Sequence, residues 1–267
     1  MFRTRILLLI SCALVVGAIY LLPKAVVEND AEMSSPTAAS ANGAGHQEVP
    51  TGLQQTINQY RTQLAGGVTD QKTAIFADSL AELYQNAGRY DSAAAYFEQA
   101  ASFIGTEASI LKSAEAYYQA FSFSVDNAKS KVLAEKARQF FSALLEKKPA
   151  QPDLKVKLAM TFMVSEGPMQ GIAMLREVLE KYPEHEQALL NMGILSIRSG
   201  QFAKAIDWLR RLDKAHPENV EGQMLLGAAY AGAGEKEKAR EQYERARKMT
   251  TDPAVQQQLD AYVKDLN

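Results

Sequence analysis

Gly193 and Gly227 stand 34 residues apart, each inside a run of helix-forming residues, and the interval also holds for their surroundings. Gly200 matches Gly234 and Ala205 matches Ala239 at the same distance. Counting back 34 from Gly193 reaches Ala159, with Gly171 in the place of Ala205 and Pro183 in that of Pro217. The earliest copy, LAELYQNAGRYDSAAAYFEQAASF, carries Ala81, Tyr84, Ala93 and Phe97. A small side chain kept at a fixed place marks a point where two helix axes approach closely. A larger one would force them apart, an overpacking cost of about 1–3 kcal/mol. A fixed period of this length also means an array, because one helical hairpin cannot bury its apolar face alone and only a stack is stable.

The recurring positions resemble the tetratricopeptide repeat, whose pattern is W-x2-L-G-x2-Y, then A-x3-F, then a closing Pro. Leu189, Met192, Gly193 and Ser196 stand for W, L, G and Y, followed by Ala205, Leu209 and Pro217. In the last copy Gln223, Leu226, Gly227 and Tyr230 precede Ala239 and Tyr243, and Thr251 replaces the Pro. No copy has the Trp of the pattern; the lone Trp208 falls on a second helix. The resemblance implies an all-α, right-handed solenoid of about five hairpins over residues 74–251, divided at 74–107, 108–151, 152–185, 186–219 and 220–251. Its packing positions are Ala81, Ala93, Ala159, Gly171, Gly193, Ala205, Gly227 and Ala239.

The second copy departs from the period. Tyr84 to Ala93 spans 9 residues, whereas Tyr118 to Ala137 spans 19. The added residues predict longer helices in a protruding hairpin, with Asp126-Asn127 as turn and cap. The frame of the first helix in this copy is open by one residue, since Glu115 falls where a small residue belongs. Residues 252–267 place Val255, Leu259 and Tyr262 on one face, as a terminal capping helix would. Residues 53–73 hold a short amphipathic helix, with Leu53, Ile57, Tyr60 and Leu64 in one stripe ended by Gly66-Gly67.

The N-terminus predicts a membrane anchor over 1–23. Arg3 and Arg5 precede an uncharged run from Ile6 to Leu22. As a helix this run is roughly 25 Å long, at the short end of what crosses a bilayer. Acylation at Cys12 or cleavage of the segment are the competing readings. Basic residues before the span and Glu28, Asp30 and Glu32 after it place the rest of the chain across the membrane. The expected location is therefore a bacterial inner membrane, crossed once, with the C-terminal domain periplasmic. Residues 24–52 are rich in Ser, Thr, Ala, Gly and Pro and read as a flexible linker, with His46 in it.

Composition narrows the chemistry. A formal net charge of −2 gives no basic face for nucleic acid. One Cys in 267 residues excludes an internal disulfide or a cysteine cluster. No nucleophile-elbow, phosphate-loop, dinucleotide or zinc-protease motif occurs, so no enzyme, metal or cofactor is expected. His185 and His216 read as solvated residues of inter-repeat turns.

What remains is the groove that the first helices line in arrays of this kind. The resemblance places Val156, Met160, Met163, Val164, Leu190, Ile194, Ile197, Arg198, Met224 and Ala228 there. Leu190 and Ile194 occupy positions where the chaperone-binding members of the family carry a Lys/Asn carboxylate clamp, which argues against that use. The stripe is apolar and rich in Met, suited to an amphipathic helix or extended apolar peptide. The expected function is a membrane-tethered scaffold for a protein partner, as in envelope complex assembly or cytochrome c maturation. The alternative is a structural or self-associating protein whose own N-terminal helix fills the groove.

Overall fold

The computed structural model describes residues 51–66, 69–164 and 167–266, and the regular elements among them are all helical. The predicted membrane segment, Cys12, His46 and the linker up to residue 50 lie outside the described residues. Among the described residues twelve α-helices follow one another. They are α1 Thr51–Ala65, α2 Asp70–Asn86, α3 Tyr90–Ile104, α4 Glu107–Phe123, α5 Asn127–Lys147 and α6 Pro152–Thr161. Then come α7 Pro168–Lys181, α8 Glu186–Arg198, α9 Phe202–Ala215, α10 Val220–Gly232, α11 Lys236–Met249 and α12 Pro253–Asp265. A 3₁₀ turn over Phe162–Val164 continues α6.

Local chemistry sets the helix ends. Pro152, Pro168 and Pro253 open α6, α7 and α12, where a missing N–H costs nothing. Thr106, Asp126, Asn219 and Asp252 accept hydrogen bonds from backbone N–H groups of the first turn that follows. Gly200 and Gly234 end α8 and α10 in the left-handed region, at φ of 70° and 80°. Behind each runs the same bond: Gln201 N–H donates to the Ser196 carbonyl at 2.8 Å, and Glu235 N–H to the Tyr230 carbonyl at 2.9 Å. This is the Schellman closure, which satisfies carbonyls the helix leaves over. A side chain at either glycine would strain the turn that reverses the chain into its second helix.

Helices α2 to α11 pair in sequence as five hairpins, and each hairpin packs on the next. The small residues sit where the pairs close. A Cβ on Gly193 would lie 2.6 Å from the Leu209 side chain of the partner helix. One on Gly227 would lie 2.6 Å from the Tyr243 ring. Ala81, Ala93, Ala159, Gly171, Ala205 and Ala239 are buried at corresponding places. Two apolar clusters result, one around Phe97, Phe141 and Leu144, the other around Leu175, Leu189, Leu209 and Leu226. Helix α6 joins them, giving Leu154 and Leu158 to the first and Val156 and Ala159 to the second.

The extra residues of the second hairpin lengthen both helices, to 17 residues in α4 and 21 in α5, rather than opening a loop. The frame within α4 is settled by burial: Ala114 is fully buried, whereas Glu115 is half-exposed and salt-bridged to Lys157. At the C-terminus, α12 buries Leu259 and sets the Tyr262 ring 5.3 Å from that of Tyr243. At the other end, α1 buries Ile57 and sets the Tyr60 ring tilted against Phe76 of α2, with ring centroids 5.8 Å apart.

Candidate functional site

The first helices of successive hairpins, α2, α4, α6, α8 and α10, share one side of the array, and its character changes along the chain. At the N-terminal end it is polar and internally paired. The Lys112 ammonium on α4 bridges Asp78 at 2.8 Å and Glu82 at 3.0 Å, both on α2. Burial works against that charge, but hydrogen bonds and attraction from the two carboxylates outweigh it and hold the pKa above the ordinary lysine value. Gln85 donates to Gln119 at 2.8 Å, and Lys157 on α6 pairs with Glu115. Asp78 and Lys112, like Gln85 and Gln119, are 34 residues apart, so matching positions of neighbouring repeats bond to each other. Between these pairs lies a cavity of about 460 Å³, where Tyr118, Phe97 and Phe123 add aromatic wall.

Toward the C-terminal end the same side turns apolar. Met160, Ile194, Ile197, Met224 and Ala228 are all partly exposed, Arg198 is exposed, and Val164 is half-buried on the 3₁₀ turn. Three of the predicted groove residues are placed differently. Val156 and Leu190 are 3% and 4% exposed and belong to the core, because the faces of α6 and α8 they occupy meet neighbouring helices. The methyl of Met163 occupies the space that the absent side chain of Gly171 leaves, inside the hairpin. The tighter winding of the 3₁₀ turn redirects it there, away from the stripe.

The histidines also differ from the sequence expectation. The His185 side chain is only 10% exposed; it lies 3.2 Å from Asp153, and its Nδ1 faces the Ala188 N–H as a helix cap. His216 bonds to the Glu184 carbonyl at 2.8 Å, tying one inter-repeat turn to the next. Among the described residues no group of three His, Cys, Asp or Glu is placed to hold a metal ion. No described helix is long and apolar enough to cross a membrane.

Helix α1 does not fill the apolar stripe. Its buried face goes to α2, and Arg61 reaches Tyr96 on α3, so it extends the N-terminal end of the array. The residues that motif matching missed are those of the polar cavity: Tyr118, Gln119, Phe123 and Lys157. The repeat interval points to Gln119 alone, which pairs with Gln85 34 residues earlier; Lys157 meets Glu115 across 42 residues.

Comparison with known proteins agrees with this geometry. Tetratricopeptide-repeat profiles match residues 77–103, 170–228 and 212–254. The stretch between the first two holds the lengthened hairpin, where the period breaks. A tetratricopeptide-repeat protein from Parabacteroides merdae superposes with a TM-score of 0.55 at 15% identity, covering 80% of this chain and 78% of its own. TTC0263 from Thermus thermophilus gives 0.54 at 16% identity, over 73% and 100%. PilW, described as a widely conserved type IV pilus biogenesis factor, gives 0.50 at 21% identity, over 73% and 90%. At such identities the likeness is one of fold. No curated protein sequence matches the chain.

Proposed function

We propose that this tetratricopeptide-repeat protein is a scaffold that binds a partner polypeptide along its first-helix face. The partner lays an apolar face on Met160, Ile194, Ile197 and Met224 and turns polar groups to the cavity around Gln119 and Lys157. The observation that carries this reading is an unbroken row of partly exposed Met and Ile over three successive first helices, left uncovered by α1. Methionine suits such a row because its flexible thioether adapts to differently shaped ligands. A peptide that spans both ends would be amphipathic along its length, and the direction of the polarity gradient would set its orientation.

The same proposal holds the scaffold at a bacterial inner membrane through residues 6–22, with the array in the periplasm. Its partners there are components of envelope assemblies, cytochrome c maturation among them. The basic N-terminus and the acidic residues after the apolar run support this orientation. A phosphatase fused after Asn267 would be active and a fluorescent protein at the same place dark; the reverse pattern rejects the topology.

The decisive binding test is the double substitution Met160→Glu with Ile194→Glu. Both side chains are partly exposed, so the helices tolerate the charges and helicity stays unchanged. A partner that co-purifies with the parent protein is lost from the variant. Undiminished recovery of that partner rejects the groove.

A further inference from the structure

Met192, Leu195 and Ser199 of α8 point about opposite to Ile194 and Ile197, since each residue advances about 100° around a helix. They floor a separate cleft of about 420 Å³, on the side of the array formed by second helices. Ile172 of α7 and the half-buried Trp208 of α9 complete an apolar base. The size lies within the roughly 300–1,000 Å³ of ordinary ligand sites.

The rim carries the second observation. Arg176, Lys204 and Arg211 surround the opening, against Asp207 as the one carboxylate lining it. The Arg211 guanidinium lies over the Trp208 ring, 4.8 Å from its centroid, and donates to the Pro183 carbonyl at 2.9 Å. Lys204 is held by the Gln201 side-chain oxygen at 2.6 Å, not by a carboxylate. Among the described residues none of the three cations forms an ion pair. In the rest of the array lysines and arginines are repeatedly matched with Asp or Glu, as at Lys112, Lys136, Lys157 and Arg245. Here an apolar floor and a surplus of positive charge occur together.

We propose that this cleft is a second docking site, for an acidic peptide segment with an aliphatic anchor. The anchor side chain rests on Trp208, Leu195 and Ile172. Carboxylates on either side of it meet Arg176 and Lys204, an arginine offering two parallel donors to one carboxylate. Trp and Arg are also the side chains on which binding energy concentrates at interfaces. A free anion would use the rim and leave the floor wet; a purely apolar helix would leave the cations unmatched. The site shares no residue with the first-helix groove, so the array can hold two segments at once, one on each side.

Trp208 is the only tryptophan of the chain, so its emission reports this cleft and nothing else. The test titrates the full-length protein, at about physiological ionic strength, with four blocked hexapeptides: EELLEE, QQLLQQ, EEAAEE and KKLLKK. EELLEE is expected to shift Trp208 emission to shorter wavelength with saturation, and the other three to bind at least tenfold more weakly. Arg176→Glu with Lys204→Glu, both exposed and free of structural bonds to the core, should weaken EELLEE at least tenfold while leaving the thermal midpoint in place. Met160→Glu with Ile194→Glu should leave this titration unchanged, which separates the two sites. No saturable shift with EELLEE, an equal response to KKLLKK, or indifference to the charge reversal each overturns the proposal. Loss of binding in the groove variant alone assigns the peptide to the other face and overturns it as well.

Discussion

At the scale of single residues, stability rests on volumes that leave no slack. Gly193 faces Leu209 and Gly227 faces Tyr243 at distances that admit no Cβ without movement. Gly193→Val is therefore expected to lower the unfolding free energy by about 1–3 kcal/mol, whereas Ala203→Val, on the exposed side of α9, should change it little. Denaturant titration followed by circular dichroism checks both. The identity of these positions was legible from their spacing. Their partners were not, since no period in the sequence says that Leu209 is the group that Gly193 accommodates. The same limit explains Met163. Its register, one repeat before Ile197, suggested a groove residue, but on the 3₁₀ turn its methyl fills the space beside Gly171 instead. His185 was read as solvated because turns usually are; its burial follows from Asp153 and the α8 N-terminus closing over it.

At the scale of elements, the turns and caps were the most readable features, because their chemistry is local. Asp126 accepts from Ala128 and Lys129 N–H groups at 2.8 and 3.0 Å, so Asp126→Ala should cost about 1 kcal/mol through loss of the α5 cap. The terminal helix offers a pH-dependent handle. Burial, with the nearby Tyr262, pushes the Tyr243 hydroxyl up to about 12. The folded protein thus keeps this proton to higher pH than the unfolded chain, whose tyrosines titrate near 10. The stability this provides is complete below about pH 10 and is lost as pH rises toward about 12. Tyr243→Phe should make the fall in stability over that window shallower, measured as unfolding midpoint against pH; an unchanged slope would show that Tyr243 does not ionise with unfolding. The lengthening of α4 and α5 was readable as an insertion of ten residues between Tyr118 and Ala137, since 19 replaces 9. The cavity beside it was not, because Tyr118 and Lys157 come from different repeats and meet only once the helices stack.

At the scale of the whole array, stability is shared between neighbours and has to be closed at the ends. α12 covers one end through Leu259, Val255 and Val263, and α1 lies at the other through Ile57. Removing residues 253–267 should expose the apolar face of α11 and produce self-association, visible as a concentration-dependent mass in light scattering. The two halves of the first-helix face differ in character. One end carries paired charges and amides, while at the other Met160, Ile194, Ile197 and Met224 pack partly on the core and leave the remainder exposed. On the proposed reading a partner covers that exposed remainder. Site-specific photocrosslinking in cells that produce the full-length protein tests this most directly, with benzoylphenylalanine placed at Ile194, at Met224 or, as a control, at the exposed Glu244 of α11. The account predicts one discrete adduct of the same partner at Ile194 and Met224 and none at Glu244. Adducts equally strong at Glu244, or none at either groove position, would contradict it.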